Sequence, residues 1–149
     1  MLPVLKIKKL TEKATVPKAM TEGSCGLDIA VSEPVTFFPN RVTKVHTGLA
    51  MSIPKGYHVE VHIRSSWGKR GIRLANCTGI IDSDYRGEMK LLLINDTTDI
   101  YYAPEGERIA QLLLVKDPAF TIKEVDELDE TKRGKGGFGS TNKKNKGDK

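Results

Sequence analysis

Tyr57-His58-Val59-Glu60-Val61-His62-Ile63 is the stretch that decides the fold. Tyr57, Val59, Val61 and Ile63 recur at every second residue, the period that puts side chains on one face of a strand. Pro54-Lys55-Gly56 breaks the chain just before it, and before that break runs another strand-like segment, Val42 to Ile53. Further towards the N-terminus, Val35 to Phe38 is a β-branched and aromatic run closed by Pro39-Asn40, and Leu5 to Leu10 alternates. In the other direction, Met89 to Ile94 and Ile109 to Val115 are continuous apolar runs flanked by breakers, the pattern of strands buried on both faces. Phe120 to Val125 reads as a last, weaker strand. No window as long as about 12 residues keeps a helical period. The best helical candidate follows Ser65-Ser66, where a serine can cap a short helix that Gly68 and Gly71 weaken. Many short strands at this spacing predict an all-β sandwich or barrel.

The bulk properties set the limits of that fold. A chain of 149 residues, 38% apolar and 29% charged, suffices for one domain with a real core and is short for two. No apolar run approaches the roughly 20 residues that span a bilayer, so no membrane partner is expected. Met1 to Lys9 alternates apolar residues with lysines and shows no signal-peptide core or cleavage site. Cys25 and Cys77 form no disulfide framework, and His46, His58 and His62 make no zinc-binding spacing. The expected setting is reducing and not secreted: cytoplasmic, or nuclear or host cytoplasm according to source. The net charge of +5 is unevenly placed: Lys132 to Lys149 carries +6 and the remainder is close to neutral at −1. Positive charge thus sits in a tail, and nucleic acid is not an expected partner of the body. The boundaries implied are a β domain over residues 1–131 and a glycine- and lysine-rich arm over 132–149, disordered or ordered by a ligand.

Five stretches carry chemistry. In Gly79-Ile80-Ile81-Asp82-Ser83-Asp84-Tyr85, Asp82 follows an apolar pair and precedes a polar turn, with a new strand starting at Met89. This reads as a hairpin whose tip holds a carboxylate and a phenol. A carboxylate at an apolar edge can have its pKa raised towards a value useful for a general base. The same residues also make an ordinary polar turn. Arg64-Ser65-Ser66-Trp67-Gly68 places a guanidinium beside two hydroxyls at a strand end, which suits phosphate oxygens, or a plain capping turn. Gly106-Glu107-Arg108-Ile109-Ala110-Gln111 runs into a buried strand, where Arg108 can make a structural ion pair and Gln111 needs a partner. Asp28, in Cys25-Gly26-Leu27-Asp28-Ile29-Ala30, lies among apolar residues of a predicted strand and needs a cation, a donor or a metal-bound water. Last, Arg133-Gly134-Lys135-Gly136-Gly137-Phe138-Gly139-Ser140-Thr141 has glycines that let amides approach phosphates, without a Walker P-loop pattern. Phe138 has nothing local to bury it, and a base or sugar to stack on would explain it.

In this order the five stretches resemble the five motifs of the trimeric dUTPase family, from about Cys25 to Thr141. The resemblance implies a jelly-roll-like β-barrel, the dUTPase-like β-clip, assembled as a homotrimer with shared sites and a flexible C-terminal arm. It implies hydrolysis of dUTP to dUMP and pyrophosphate assisted by Mg2+, a reaction that limits uracil in DNA and supplies dUMP for thymidylate synthesis. Asp82 would activate the water, and Tyr85 would pack on the deoxyribose and exclude a 2′-hydroxyl. Asn76, Gly79, Ile80 and the chain back to Lys90 would read uracil. Arg64, Ser65, Ser66 and Gln111 would hold phosphates, and Asp28 would order the metal through water. Arg133 would reach the γ-phosphate, Phe138 would cover the base, and Gly139, Ser140 and Thr141 would wrap the phosphates. Two departures stand out: Ser66 where the family commonly has Gly, and Cys25 where it usually has Ala. The nearest alternatives are a dCTP deaminase-type enzyme, which shares the Arg-Ser-Ser segment, and a nucleotide-binding regulatory protein of the same fold. Tyr85 and the Phe138-bearing tail favour the hydrolase.

Overall fold

The computed structural model describes residues 2–140. Ten strands and one short helix follow in chain order: β1 (Lys6–Lys9), β2 (Leu27–Ala30), β3 (Val35–Phe37), β4 (Val42–Ser52), β5 (Tyr57–Ile63), α1 (Ser65–Gly68), β6 (Ile72–Leu74), β7 (Gly79–Ile81), β8 (Glu88–Asn95), β9 (Tyr101–Ala103) and β10 (Arg108–Lys116). They form two four-stranded sheets, ordered β1-β4-β8-β6 and β2-β10-β5-β7, and a two-stranded ribbon, β3-β9. All named pairings are antiparallel, and strands distant in sequence lie side by side, as in a jelly roll. The expected all-β, jelly-roll-like fold is found, as stacked sheets and not a closed barrel.

The decisive stretch does what its period requires. Val59 and Val61 of β5 are buried, while His58, Glu60 and His62 take the other face. The inner faces of both large sheets feed one core, with Val59, Val61, Ile109 and Leu112 from one and Leu49, Met51, Leu91 and Leu93 from the other. Burying such side chains stabilises by about 1.5–3 kcal/mol each relative to exposure. Phe37 and Trp67 meet edge to face with ring centroids 5.6 Å apart, which ties the ribbon and α1 to that core.

Several expectations are corrected. Glu88 to Asn95 is not buried on both faces: Met89, Leu91, Leu93 and Asn95 point inward, while Lys90 and Leu92 are exposed. In β10 only Ile109 and Ala110 are consecutively buried, and Leu113 to Val115 are half-buried. Gly79–Tyr85 and the strand after it do not pair as a hairpin, because β8 already has β4 on one edge and β6 on the other, and β7 joins β5 in the second sheet. Serine does not cap α1: the cap position is Arg64, and no side chain bonds the helix start. Three-residue strands β6 and β9 are additions to the sequence reading.

The chain separates into two compact units after Pro118, so residues 119–131 group with the arm and not with the β domain. Within the second unit no strand or helix forms among the described residues, and the expected strand Phe120 to Val125 is absent. A strand needs a ladder partner for its amides. Here Phe120 and Ile122 are 73% and 89% exposed, and no ladder forms among the described residues of this unit.

Candidate functional site

The phosphate-type residues converge on one buried carboxylate. Asp28 is 6% exposed at the middle of β2, opposite Gln111 in the β2–β10 register. Its Oδ1 accepts from Gln111 Nε2 at 3.1 Å, and its Oδ2 accepts from Arg108 Nη1 at 3.0 Å. Arg64 Nε adds an ion pair to Oδ2 at 3.3 Å. Two guanidinia and an amide thus replace the water that a buried carboxylate loses. Arg64 is fixed further by Nη1 donating to the Arg108 carbonyl at 3.1 Å and by its own N–H donating to the Ile109 carbonyl at 3.0 Å. Gly26 packs closely on Gln111: a Cβ there would lie 3.3 Å from Gln111 Cβ, which would have to yield by a few tenths of an ångström. With two cations and one anion the cluster keeps a net positive charge, and the free N–H groups of Arg64 and Arg108 can serve an anion.

Ser65 and Ser66 stand exposed on the first turn of α1. The turn is anchored by its third residue, Trp67, which is 1% exposed and donates Nε1–H to Glu107 Oε1 at 3.3 Å. Arg70 covers the indole at 4.6 Å from its centroid. The single tryptophan is therefore the device that holds Arg64-Ser65-Ser66 beside β10. Its place next to two serines was the available signal.

Asp82 lies elsewhere on the chain. It is exposed, and none of the described residues hydrogen-bonds its carboxylate, in contrast to Asp28. Asp82 lines a cavity of about 330 Å³ together with Lys44, Tyr85, Glu88, Lys90 and Leu92. The apolar residues Ile80, Ile81, Met89 and Leu92 stand in the same cavity wall, the apolar edge expected beside Asp82. Behind it, Asn76, Gly79, Ile80 and Lys90 share a smaller cavity of about 120 Å³ with Leu74 and Val61. The four residues expected to read a base are thus brought together, although β7 and β8 belong to different sheets. Neither cavity takes a residue from the Asp28 cluster.

The turn between Asp82 and Glu88 is held tightly. Arg86 Nη1 donates to the carbonyls of Ser83 and Tyr85 at 2.7 and 2.9 Å, and Tyr85 Oη donates to the Glu88 carbonyl at 3.0 Å. The Glu88 carboxylate accepts the Gly48 N–H at 2.9 Å and bonds His46 Nδ1 at 2.9 Å. Burial works against the Glu88 charge, but the bonds from His46 and Gly48, with Lys90 nearby, hold its pKa below the usual range. Glu88, His46 and Gly87 were not among the residues singled out from sequence.

In the second unit, Arg133 Nε donates to the Gly136 carbonyl at 2.8 Å, Ser140 N–H donates to the Gly137 carbonyl, and Phe138 is fully exposed. Phe138 has φ +46° and Gly139 φ +85°, a left-handed pair that glycine tolerates and phenylalanine seldom adopts. Thr141 lies outside the described residues. Among the described residues no group of three or more His, Cys, Asp or Glu converges on a metal position. Asp28, already bonded by Gln111, Arg108 and Arg64, is no ready direct ligand for a Mg2+ ion, which leaves contact through water. No described helix is long and apolar enough to cross a membrane.

The family model for dUTPase matches residues 12–142. The chain belongs to the dUTPase family. It is 44% identical over 140 residues to the deoxyuridine 5'-triphosphate nucleotidohydrolase of Nautilia profundicola, covering 93% of this chain and 99% of that protein. It is 44% identical over 127 residues to the enzyme of the same name from Zymomonas mobilis, covering 83% and 87%. Among solved structures it resembles a Staphylococcus bacteriophage 80alpha dUTPase bound to dUpNHpp, with TM-score 0.83, 28% identity and coverage of 92% and 97%. A dUTPase variant of phage phi11 of S. aureus, described for its structural Mg(II) ion, shares the fold at TM-score 0.77 and 24% identity. The family match over residues 12–142 includes the glycine-rich stretch that begins at Arg133.

Proposed function

We infer that this chain hydrolyses dUTP to dUMP and pyrophosphate. The observation that carries the reading is the family match over residues 12–142; a cavity lined by Asp82, Tyr85 and Lys90, and a cluster joining Arg64 and Gln111 at Asp28, support it. Asp82 serves as general base. Its carboxylate takes a proton from water while the water oxygen bonds to the α-phosphorus. The bond from that phosphorus to the α,β-bridging oxygen breaks, and pyrophosphate departs. Phosphoryl transfer of this kind depends on positioning and charge neutralisation more than on covalent help. Arg64, Gln111 and the exposed Ser65 and Ser66 supply those donors, and Arg133 and Ser140 of the arm add to them. Tyr85 packs on the deoxyribose, and Asn76, Gly79, Ile80 and Lys90 surround the uracil. Mg2+ enters with the substrate, as the hard counter-ion that triphosphate oxygens bind.

A homotrimer with shared sites follows from the same reading. Two observations support it. The two cavities that Asp82 lines, of about 330 and 540 Å³, take in none of Arg64, Ser65, Ser66 and Gln111, and Phe120, Ile122 and Leu128 are exposed apolar residues. A neighbour can supply both what Asp82 lacks and what Phe120 needs. The test is pyrophosphate release from dUTP, UTP, dTTP and dCTP, with and without Mg2+, on protein of measured mass in solution. Turnover of dUTP alone by a trimer is the expected outcome; ammonia release from dCTP, or equal turnover of UTP, would replace the reading.

A further inference from the structure

We propose that Gly87, together with the Glu88 carbonyl, is the seat that orients the Tyr85 ring and so sets discrimination against ribonucleotides. The inference rests on the reading that Tyr85 packs on the deoxyribose. A Cβ on Gly87 would collide with Tyr85 Oη and stand 2.6 Å from Cζ and 3.0 Å from Cε2. The phenol therefore lies folded over the bare backbone of Gly87, where any side chain would displace it. It is held there by the bond from Oη to the Glu88 carbonyl at 3.0 Å. That carbonyl is itself fixed, because the Glu88 side chain is bound by Gly48 N–H and His46 from β4, and Thr47 Oγ1 bonds the next carbonyl, Met89. From the other side Arg86 pins the carbonyls of Ser83 and Tyr85.

Gly87 is not there for its backbone freedom. Its φ is not in the left-handed region, so alanine can take the same backbone conformation. The colliding atoms belong to a side chain that is 45% exposed and free to swing outward. Gly87→Ala should therefore leave the fold intact and move the ring. A planar ring that excludes one hydroxyl works only at a fixed position, and displacements near 1 Å are enough to disturb such a site.

The experiment compares kcat/KM for dUTP and for UTP in the wild type, Gly87→Ala, Tyr85→Phe and Tyr85→Ala, with a thermal melt of each. Gly87→Ala is expected to lower the dUTP:UTP ratio by about ten-fold or more with little change in Tm. Tyr85→Phe keeps the ring but frees it from the Glu88 carbonyl, and should lower the ratio less. Tyr85→Ala removes the ring and is expected to lower the ratio most. If Tyr85→Ala lowers the ratio while Gly87→Ala folds and leaves it unchanged, the seat is wrong and the role of Tyr85 stands. If Tyr85→Ala itself leaves the ratio unchanged, the role of Tyr85 fails and the seat with it. Should Gly87→Ala not fold, Tyr85→Phe decides: an unchanged ratio overturns the proposal, and a lowered one supports it.

Discussion

Asp28 and Asp82 are both carboxylates at the edge of the second sheet's machinery, yet the fold treats them in opposite ways. Asp28 is buried, with each oxygen occupied by Gln111, Arg108 or Arg64. Asp82 is exposed at the rim of a cavity, with no partner among the described residues. Donors from three side chains hold the Asp28 carboxylate in place, whereas the Asp82 carboxylate lies open to water. Burial and full hydrogen bonding mark a residue that arranges other side chains. Exposure at a cavity rim, on a tightly pinned turn, suits Asp82 to the base role proposed for it.

The strongest way to break this contrast is to neutralise each in turn. Asp82→Asn should lower kcat by about 10²–10⁴-fold, the usual worth of a positioned base, while dUTP still binds. A variant turning over near the wild-type rate, with dUTP affinity measured alongside, would remove Asp82 from the base role. Next in size is removal of Gly134 onward. Since residues 2–118 hold the whole sheet core, the truncated chain should melt like the parent and lose most of its activity. A truncation that fails to fold would instead make the arm structural.

Asp28→Asn should act through stability and binding. It leaves two guanidinia facing a partner without charge, and the expected loss is about 2–3 kcal/mol, discounted because Arg64 and Arg108 are partly exposed. Denaturant melts would read it. The KM for dUTP should rise more than kcat falls, because Arg64 and Gln111 lose the anchor that orients them. A fall confined to kcat would place Asp28 nearer the chemistry than its hydrogen bonds allow.

How far the sequence foretold this can be judged residue by residue. The alternation at Tyr57 to Ile63 was fully legible because a half-buried strand writes its period into composition. The need of Asp28 for a cation was legible too, from its apolar neighbours, but which cation was not: Arg108 is 80 positions away. Pairing partners escaped for the same reason. Gly79 to Ile81 announces a strand, yet only the edges already occupied on β8 send it to β5. The apolar run Leu91-Leu92-Leu93 hid its own alternation, because Leu92 faces the Tyr85 cavity and not the core. Ile72–Leu74 and Tyr101–Ala103 are too short to carry a period at all. The role of Gly87 depends on where a tyrosine ring falls, which no spacing encodes.

The smallest expected effect concerns a third arrangement of carboxylates, intermediate between the other two. On the outer face of β5, His58 Nδ1 bonds Asp117 at 2.7 Å, and Glu60 bonds His62 Nε2 at 2.8 Å and His58 Nε2 at 3.5 Å. The bond to Asp117 raises the His58 pKa above its ordinary 6.5 against the pull of burial, and Glu60 adds to the rise. Bonds from His62 and His58 lower the Glu60 pKa below its ordinary 4.5, again against burial. A raised histidine stabilises the fold fully below its unfolded value and loses that contribution as pH climbs through the folded one. A lowered glutamate stabilises above its unfolded value and loses it as pH falls through the folded one. The two contributions therefore overlap between about pH 4.5 and 6.5. His58→Gln should cost most stability inside that window and progressively less above it, because neutral His58 has little more to offer Asp117 than an amide does. These groups are solvent-exposed enough that the effect should be a small shift of Tm, suppressed by salt. Melts of wild type and variant at pH 5.5 and 8.5 would read it, and a difference that grew towards pH 8.5 would show that the row stabilises through neutral hydrogen bonds instead of charge.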